Sequence, residues 1–534
     1  MHEAPPNWNA NLSGTGDIVI VGAGLAGLFT ALKLSPQPVT VVAAAPLGKG
    51  ASSVWAQGGV AAAVGKGDTT EAHARDTISS GAGLVDEALA HSVAKQAPER
   101  IRDLLSLGVP FDHDLEGNLK VSKEAAHSAG RVVRVSGDRA GGAIMSAIIA
   151  SVRNTPSIRV LEGYRADDLI TENQHIIGLV LSDTQGQQLH LDAKAIVLAT
   201  GGIGALYEVS TNPPYARGEA IAMAARAGAI IADAEFVQFH PTALNINKNP
   251  TPLATEALRG EGAILLNQHG HRFLLDRDPR AELASRDIVS QAVAEEIAAG
   301  NDVFLDCSKA IGDRFPDDFP TVWQHCLDAN IDPRIEPIPV VPAAHYHMGG
   351  IATNADGRTN VAGLWAIGET AATGLHGGNR LASNSLLEAV AFGARAAADL
   401  ATILPSDTSE RTQKNKLIAT STAPASIGGD EHEKLCFNLR QTMSQSVGVS
   451  RNGDDLKIAL SKLAEIENVA KKNKDVILSN MALAARFIAT AAFLRNESRG
   501  AHLRRDFPDL DANLAKRSAL TLREIDVVLA KEVK

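Results

Sequence analysis

The chain has 534 residues, 45% hydrophobic and 21% charged, with 51 Lys plus Arg against 61 Asp plus Glu and a net charge of −10. Such a composition is that of a globular chain of roughly two to four domains, and its acidic balance excludes a surface that holds nucleic acid or anionic membrane through clustered positive charge. Aromatic residues make up only 4%, too few for stacking platforms along a single strand.

Cys307, Cys326 and Cys436 lie far apart and form no CxxC. That spacing excludes a disulfide framework and a Cys-rich metal centre, and it fits a reducing cytosol. The opening MHEAPPNWNANLSGTG has neither a basic head nor an apolar stretch, so no secretory leader is expected. Arg486 interrupts the apolar stretch MALAARFIATAAFL, so no membrane span is expected either.

Residues 17–21 (DIVIV) read as a buried strand running into Gly22, Gly24 and Gly27. The segment LAGLFTALKLS has helical spacing and stops near Pro36, and residues 38–45 read as a second strand. Strand, glycine turn, helix and strand within about 30 residues open a doubly wound, Rossmann-like α/β sheet. In such a turn the first glycine permits the bend, the second admits a pyrophosphate, and the third packs helix on strand. The free N–H groups of the helix start favour phosphate. Gly22, Ala23, Gly24, Leu25, Ala26 and Gly27 are therefore the candidate dinucleotide turn. An acidic residue normally closes the second strand and binds the ribose. Here the strand ends Val42-Ala43-Ala44-Ala45, so backbone, water or another segment must hold that sugar.

Further along, Ser52, Ser53, Ala56, Gln57, Gly58 and Gly59 belong to a polar glycine-rich loop, and 193–202 read as a return strand ending at Thr200 and Gly201. Residues 215–231 are predicted as an amphipathic Ala-rich helix containing Glu219. Residues 232–348 have more Pro, His and charge and read as an inserted α+β capping domain. The strand GLWAIGE (363–369) ends at Glu369, a carboxylate placed to bind a ribityl hydroxyl, and Asn384, Ser385 and Leu386 open a helix whose N–H groups suit a flavin carbonyl. The expected division is a discontinuous cofactor domain at 10–231 and 349–401, the cap at 232–348, a linker at 402–430 rich in Thr, Ser, Pro and Lys, and a C-terminal helical bundle at 431–534 without strands.

These segments together resemble the flavoprotein family of succinate dehydrogenase, fumarate reductase and L-aspartate oxidase. The resembling motifs are SSVWAQGG (52–59), VLATGG (197–202), QFHPT (238–242), TEALRGEG (255–262), ELASRDIV (282–289), HYHMGG (345–350), IGE (367–369), GGNRLASNSL (377–386) and RNESRGAHLRRDFP (495–508), in family order. The resemblance implies one FAD per chain. Respiratory members attach FAD through a histidine just before the SxxAQGG loop, whereas this chain has Gly50-Ala51 there, so non-covalent FAD is expected. Glu124-Ala125-Ala126-His127-Ser128 is similar to the Glu-Gly-Gly-His-Ser segment of the aspartate-oxidising branch. A carboxylate there suits a substrate ammonium, which succinate and fumarate lack. Read as a bare sequence, Glu124 is an ordinary solvated glutamate.

Within that resemblance, His240 and Thr255 would bind the side-chain carboxylate of a C4 substrate, with backbone near Glu256. His345 and Arg380 would bind the α-carboxylate, with Ser383 in the same segment. Arg286 matches the family's proton-shuttling arginine. A guanidinium keeps its proton to about pH 12 or above, so it suits a clamp or proton donor better than a base. The implied reaction is oxidation of L-aspartate to iminoaspartate, with reoxidation by O2 or fumarate. The expected fate of the product is delivery to quinolinate synthase in NAD biosynthesis; the alternative is a soluble fumarate reductase or succinate dehydrogenase flavoprotein subunit. His345 and His347 lie two apart and should face the same way on a strand, but with no third ligand suitably spaced no metal is expected. Arg217-Gly218-Glu219-Ala220 departs from the usual Gly-Asp-Gly. The polar cluster from Arg495 to Asp506 is expected to be an ion network that docks the C-terminal part.

Overall fold

The computed structural model of the chain describes residues 18–403, 418–419 and 429–532. Five parallel strands run in the order Leu364–Ala366, Ala195–Leu198, Ile18–Val21, Val39–Ala43, Ile158–Glu162. The three central strands are buried along their whole length, which is why each reads as an unbroken apolar run. Their side chains alternate between two cores, with the period of a strand. Ile18, Ile20, Val39, Val41, Ala195 and Val197 pack with Leu28, Phe29, Ile144, Ile148, Val390 and Phe392 of the covering helices. Val19, Val21, Val42, Ile196 and Leu198 face the other way, onto Leu179 and Leu181 of an antiparallel sheet and onto Ala482, Ala485 and Ile488.

The helix predicted over 215–231 is shorter than expected, Glu219–Arg226. Gly218 has φ 72° and Gly228 has φ 93°. These left-handed residues break the helical path on either side, after which the chain forms the strand Ile231–Ala232.

Between Ile231–Ala232 and Gly350–Ala352 the chain builds a separate antiparallel sheet, ordered Val237–Leu244, Ile338–His347, Val303–Asp306, Ile264–Asn267. Helix Arg286–Ala298 covers it, and Leu244, Leu258, Leu265, Val289, Val293, Leu305 and Phe315 form its own core. The outgoing and returning crossings pair with each other, Ile231 opposite Ile351.

Helices Gly429–Ser446, Gly453–Lys472, Val476–Leu494 and Leu522–Glu532 make up most of the C-terminal part. The expectation that it contains no strands is corrected: Ser450–Arg451 pairs with Leu503–Arg504, and Ala519–Leu520 pairs with Ile231–Ala232. Two-residue strands are too short to produce a visible period-two pattern. The linker expected over 402–430 falls mostly outside the described residues; within it, Ile418–Ala419 pairs with Leu189 and His190. Val476–Leu494 is long and apolar enough to cross a membrane, but most of it is buried inside the fold. Its Arg486 pairs with Glu467 and with Asp526.

The polar cluster after that helix is a network. Arg495 donates to Glu235 and to Glu497, Arg499 to Glu497 and to the Ala82 carbonyl, and Arg504 to Asp506. His502 and Arg451 meet at 2.9 Å. Paired in this way, the charges tolerate burial while joining the C-terminal part to the rest of the chain.

Candidate active site

Gly22 has φ 115°, and a Cβ there would lie 2.2 Å from the Ala199 carbonyl oxygen; one at Gly27 would lie 2.0 Å from the Gly22 carbonyl oxygen. Only glycine permits this strand-to-helix turn. It opens onto a cavity of about 880 Å³ between the parallel sheet and the inserted part. Gly22, Ala23, Gly24, Leu25, Ala26, Ser52, Ser53, Ala56, Gln57, Gly58, Gly59, Thr200, Gly201, Glu219, Glu369, Ser385 and Leu386 all line it. Gly27 does not, because its place is in the helix–strand contact. Asn384 does not either: its side chain bonds His73 Nε2 at 2.9 Å and Thr77 Oγ1 at 3.0 Å. The Asn384 side chain is thus a buried brace; the expectation at this helix start concerned its backbone N–H groups.

Ser53 Oγ accepts from the Leu25 N–H at 3.2 Å, tying the polar loop to the glycine turn. Gln57 Nε2 donates to the Leu253 carbonyl at 2.8 Å, while its buried Oε1 has no hydrogen-bond partner among the described residues. Glu219 opens its helix and pairs with Arg217 at 2.6 Å. Burial pushes the Glu369 carboxyl up to about 7, although it accepts the His347 N–H at 3.1 Å.

The same cavity gathers Glu124, His240, Thr255, Arg286, His345, Arg380 and Ser383, contributed by the cap and by both runs of the parallel-sheet part. Arg286, first in its helix, donates to Glu256 Oε2 at 2.5 Å and to Gln238 Oε1 at 3.0 Å. Glu256 also lies 3.6 Å from Arg259. Thr255 caps the short helix Glu256–Gly260. Arg380 has no carboxylate within ion-pair distance among the described residues; its guanidinium lies 4.5 Å from the Tyr346 ring centre. Burial and neighbouring Arg286 pull Arg380 down to about 10.

Burial, reinforced by Arg286, holds His240 and His345 well below the usual histidine range, so both are neutral near pH 7. The Thr242 N–H donates to His240 Nδ1 at 3.3 Å, and the Thr242 hydroxyl is committed to the Ala254 carbonyl at 2.9 Å. The ring proton therefore sits on Nε2, a buried donor with no partner among the described residues. His345 Nδ1 faces Thr211 Oγ1 at 2.8 Å, and the two imidazoles stand edge to face, 5.0 Å apart.

His345 and His347 do not face the same way. Tyr346 pairs with Gln238 and Ala344 with Phe239, which leaves His345 in a bulge. The extra residue re-aims the chain. His345 enters the cavity, whereas His347 turns inward and its Nε2 meets the Ala234 carbonyl at 3.0 Å.

The sequence points to Glu256 only for its backbone and does not single out Gln238, Thr211 or Tyr346. Gln238, Glu256 and Tyr346 sit inside quoted motifs, but nothing in their spacing shows that Glu256 and Gln238 meet Arg286.

A family profile described as FAD binding domain matches residues 17–386, and one described as fumarate reductase flavoprotein C-term matches residues 437–532. L-Aspartate oxidase of Caulobacter vibrioides is 48% identical over 497 residues, covering 92% of this chain and 94% of that one. L-Aspartate oxidase of Mesorhizobium japonicum is 47% identical, covering 94% of each. The chain belongs to the L-aspartate oxidase family. Its fold also matches FrdA of E. coli quinol fumarate reductase, with a TM-score of 0.85 at 28% identity over 95% of this chain and 94% of that one. FAD is thus the cofactor, and the residues fit it. The glycine turn leaves room for a pyrophosphate, and the unpartnered Gln57 oxygen and the Glu369 carboxylate give the same cavity polar anchors. As in the resemblance noted from sequence, the stretch Lys49-Gly50-Ala51 before Ser52 offers no imidazole for covalent attachment.

Proposed function

We propose that this chain oxidises L-aspartate to iminoaspartate with non-covalently held FAD. The observation that carries the proposal is Glu124, a buried carboxylate in the same cavity as Arg286, Arg380 and two neutral imidazoles; unlike Glu256, which is paired with Arg286, it has no ion-pair partner among the described residues. A dicarboxylate needs only the cations and donors. A substrate ammonium also needs an anion, and Glu124 supplies it.

Gly22, Gly24, Ser53, Gln57, Glu219, Glu369, Ser385 and Leu386 are the residues that would hold FAD. When bound, FAD supplies the hydride acceptor for the aspartate Cα hydrogen. His240 Nε2–H and Thr255 bind the side-chain carboxylate, with backbone at Glu256. His345 and Arg380 bind the α-carboxylate, with Ser383 alongside. Together they would hold both carboxylates and so fix one orientation of the substrate. Glu256 and Gln238 hold Arg286 by two different nitrogens, which makes it a fixed clamp; in fumarate reduction it is also the group that offers a proton. Neutral His240 suits binding through Nε2–H without adding a third full charge.

Reoxidation by O2 or by fumarate completes the cycle. Iminoaspartate is unstable, so its consumer in NAD biosynthesis, quinolinate synthase, is the proposed recipient. The similarity to FrdA favours one further reading, a fumarate-reducing flavoprotein chain. Aerobic turnover with peroxide detection separates the two. L-Aspartate should turn over and succinate should not; turnover of succinate alone would overturn the proposal.

A further inference from the structure

Arg286 is neutralised by Glu256, but Arg380 is held differently. Its guanidinium faces the ring of Tyr346 at 4.5 Å, and the phenol of that tyrosine donates to Glu388 Oε2 at 2.6 Å. Glu388 is fully buried on helix Asn384–Ile403. Its carboxylate also meets His376 Nε2 at 2.9 Å and accepts from Thr373 Oγ1 at 2.7 Å. It does not line the cavity, whereas Tyr346 and Arg380 do.

The arrangement has a physical purpose. A carboxylate in direct contact with Arg380 would compete with the substrate for its charge. An aromatic face attracts a cation without occupying its hydrogen-bond donors, and a phenol donating to an anion carries a more electron-rich ring. We propose that Glu388, acting through Tyr346, is a positioning residue that fixes Arg380 at the substrate carboxylate without placing a competing carboxylate against it; its Nη1 makes only long contacts, to the Leu381 carbonyl at 3.4 Å and Ser385 Oγ at 3.5 Å. The Arg380 Nε is buried and has no hydrogen-bond partner among the described residues. Burial opposes charge on Glu388, yet His376 and the three hydrogen bonds hold its carboxyl below the usual range, so the anion persists. The inference rests on the reading of Arg380 as a carboxylate clamp.

The test uses FAD-loaded full-length protein and four variants: Tyr346→Phe, Tyr346→Leu, Glu388→Gln and Arg380→Leu. Succinate binding is read from the flavin difference spectrum, and KM and kcat from fumarate reduction. Tyr346→Leu should weaken succinate binding roughly 3- to 30-fold, the range of a desolvated cation–aromatic contact. Tyr346→Phe and Glu388→Gln should weaken it by less, with the loss in KM rather than kcat, and Phe should restore most of what Leu loses. Wild-type succinate binding in both Tyr346→Leu and Glu388→Gln, with binding lost in Arg380→Leu, would overturn the inference alone. Wild-type binding in Arg380→Leu would overturn the reading of Arg380 beneath it. If Glu388→Gln does not fold, the two Tyr346 variants decide: equal binding by Phe and Leu counts against the relay.

Discussion

Ser383 donates to Glu124 over 2.8 Å across 259 residues of sequence, and both side chains close on Gly58. A Cβ at Gly58 would lie 2.9 Å from Ser383 Oγ and 3.1 Å from Glu124 Oε1. Three distant segments thus meet at one buried carboxylate, a group that reads from sequence alone as an ordinary surface glutamate.

Glu124→Gln should lower kcat/KM for L-aspartate roughly 10- to 150-fold, because a charge-assisted hydrogen bond contributes about 1.5–3 kcal/mol. Fumarate has no amine, so its reduction should stay unchanged or improve slightly. Arg286→Leu should impair both reactions, since both place a carboxylate against that guanidinium. Parallel steady-state assays check this; an equal loss of both activities in Glu124→Gln would make the residue structural.

Burial first, then repulsion from Glu256, pushes the Glu124 carboxyl up to about 7. Above that value the group is an anion and binds ammonium; as pH falls through it, the anion is lost. Aspartate kcat/KM should therefore decline on the acid side of about pH 7, and fumarate reduction should lack that limb. Glu124→Gln should remove the limb from the aspartate profile. An acid limb common to both substrates in the wild type would assign it to another group.

Denaturation by acid should release FAD into the supernatant, because the residues immediately before Ser52 are Lys49-Gly50-Ala51 and include no histidine. Colour retained by the precipitated chain would refute dissociable FAD. Gly22→Val should give protein without flavin absorbance, as both its φ of 115° and its contact with the Ala199 carbonyl forbid a side chain.

Removing the Arg486 guanidinium leaves Glu467, with a side chain only 1% exposed, facing a solvent-exposed Lys471 alone. Arg486→Met should cost about 3–5 kcal/mol, the usual price of stranding one member of a buried pair. Urea unfolding reads the loss, and Glu467→Gln added to Arg486→Met should recover part of it. No recovery in the double variant would show that packing, not charge, is at stake.

What the sequence made legible follows from the range over which each signal acts. The dinucleotide turn spans Gly22 to Gly27, and at Gly22 and Gly27 glycine has a local steric reason, so the turn is visible in a short window. The buried strands reveal themselves because both faces are apolar. The aim of His345 could not be read this way. Alternation predicts that it shares a face with His347, and one bulged residue reverses that. The position of Asn384 at a helix start points to its backbone N–H groups; that its side chain braces His73 and Thr77, some 310 residues away in sequence, is not legible there. Glu256 and Gln238 stand beside residues singled out from the motifs, yet their bonds to Arg286 exist only once the cap sheet and its helix pack together.

The small sheet at the root of the cap places its two tethers side by side, Ile231–Ala232 against Gly350–Ala352, and Ala519–Leu520 lies along the outer edge. Asp233, just beyond the outgoing tether, pairs with Arg517 at 2.6 Å and accepts from the Ser518 N–H at 3.1 Å. Because the two tethers are hydrogen-bonded to each other, any displacement of the cap relative to the parallel sheet would have to move them as one unit. The far end of the chain is stitched onto that root, so residues almost three hundred positions downstream of where the cap begins help to hold it in place.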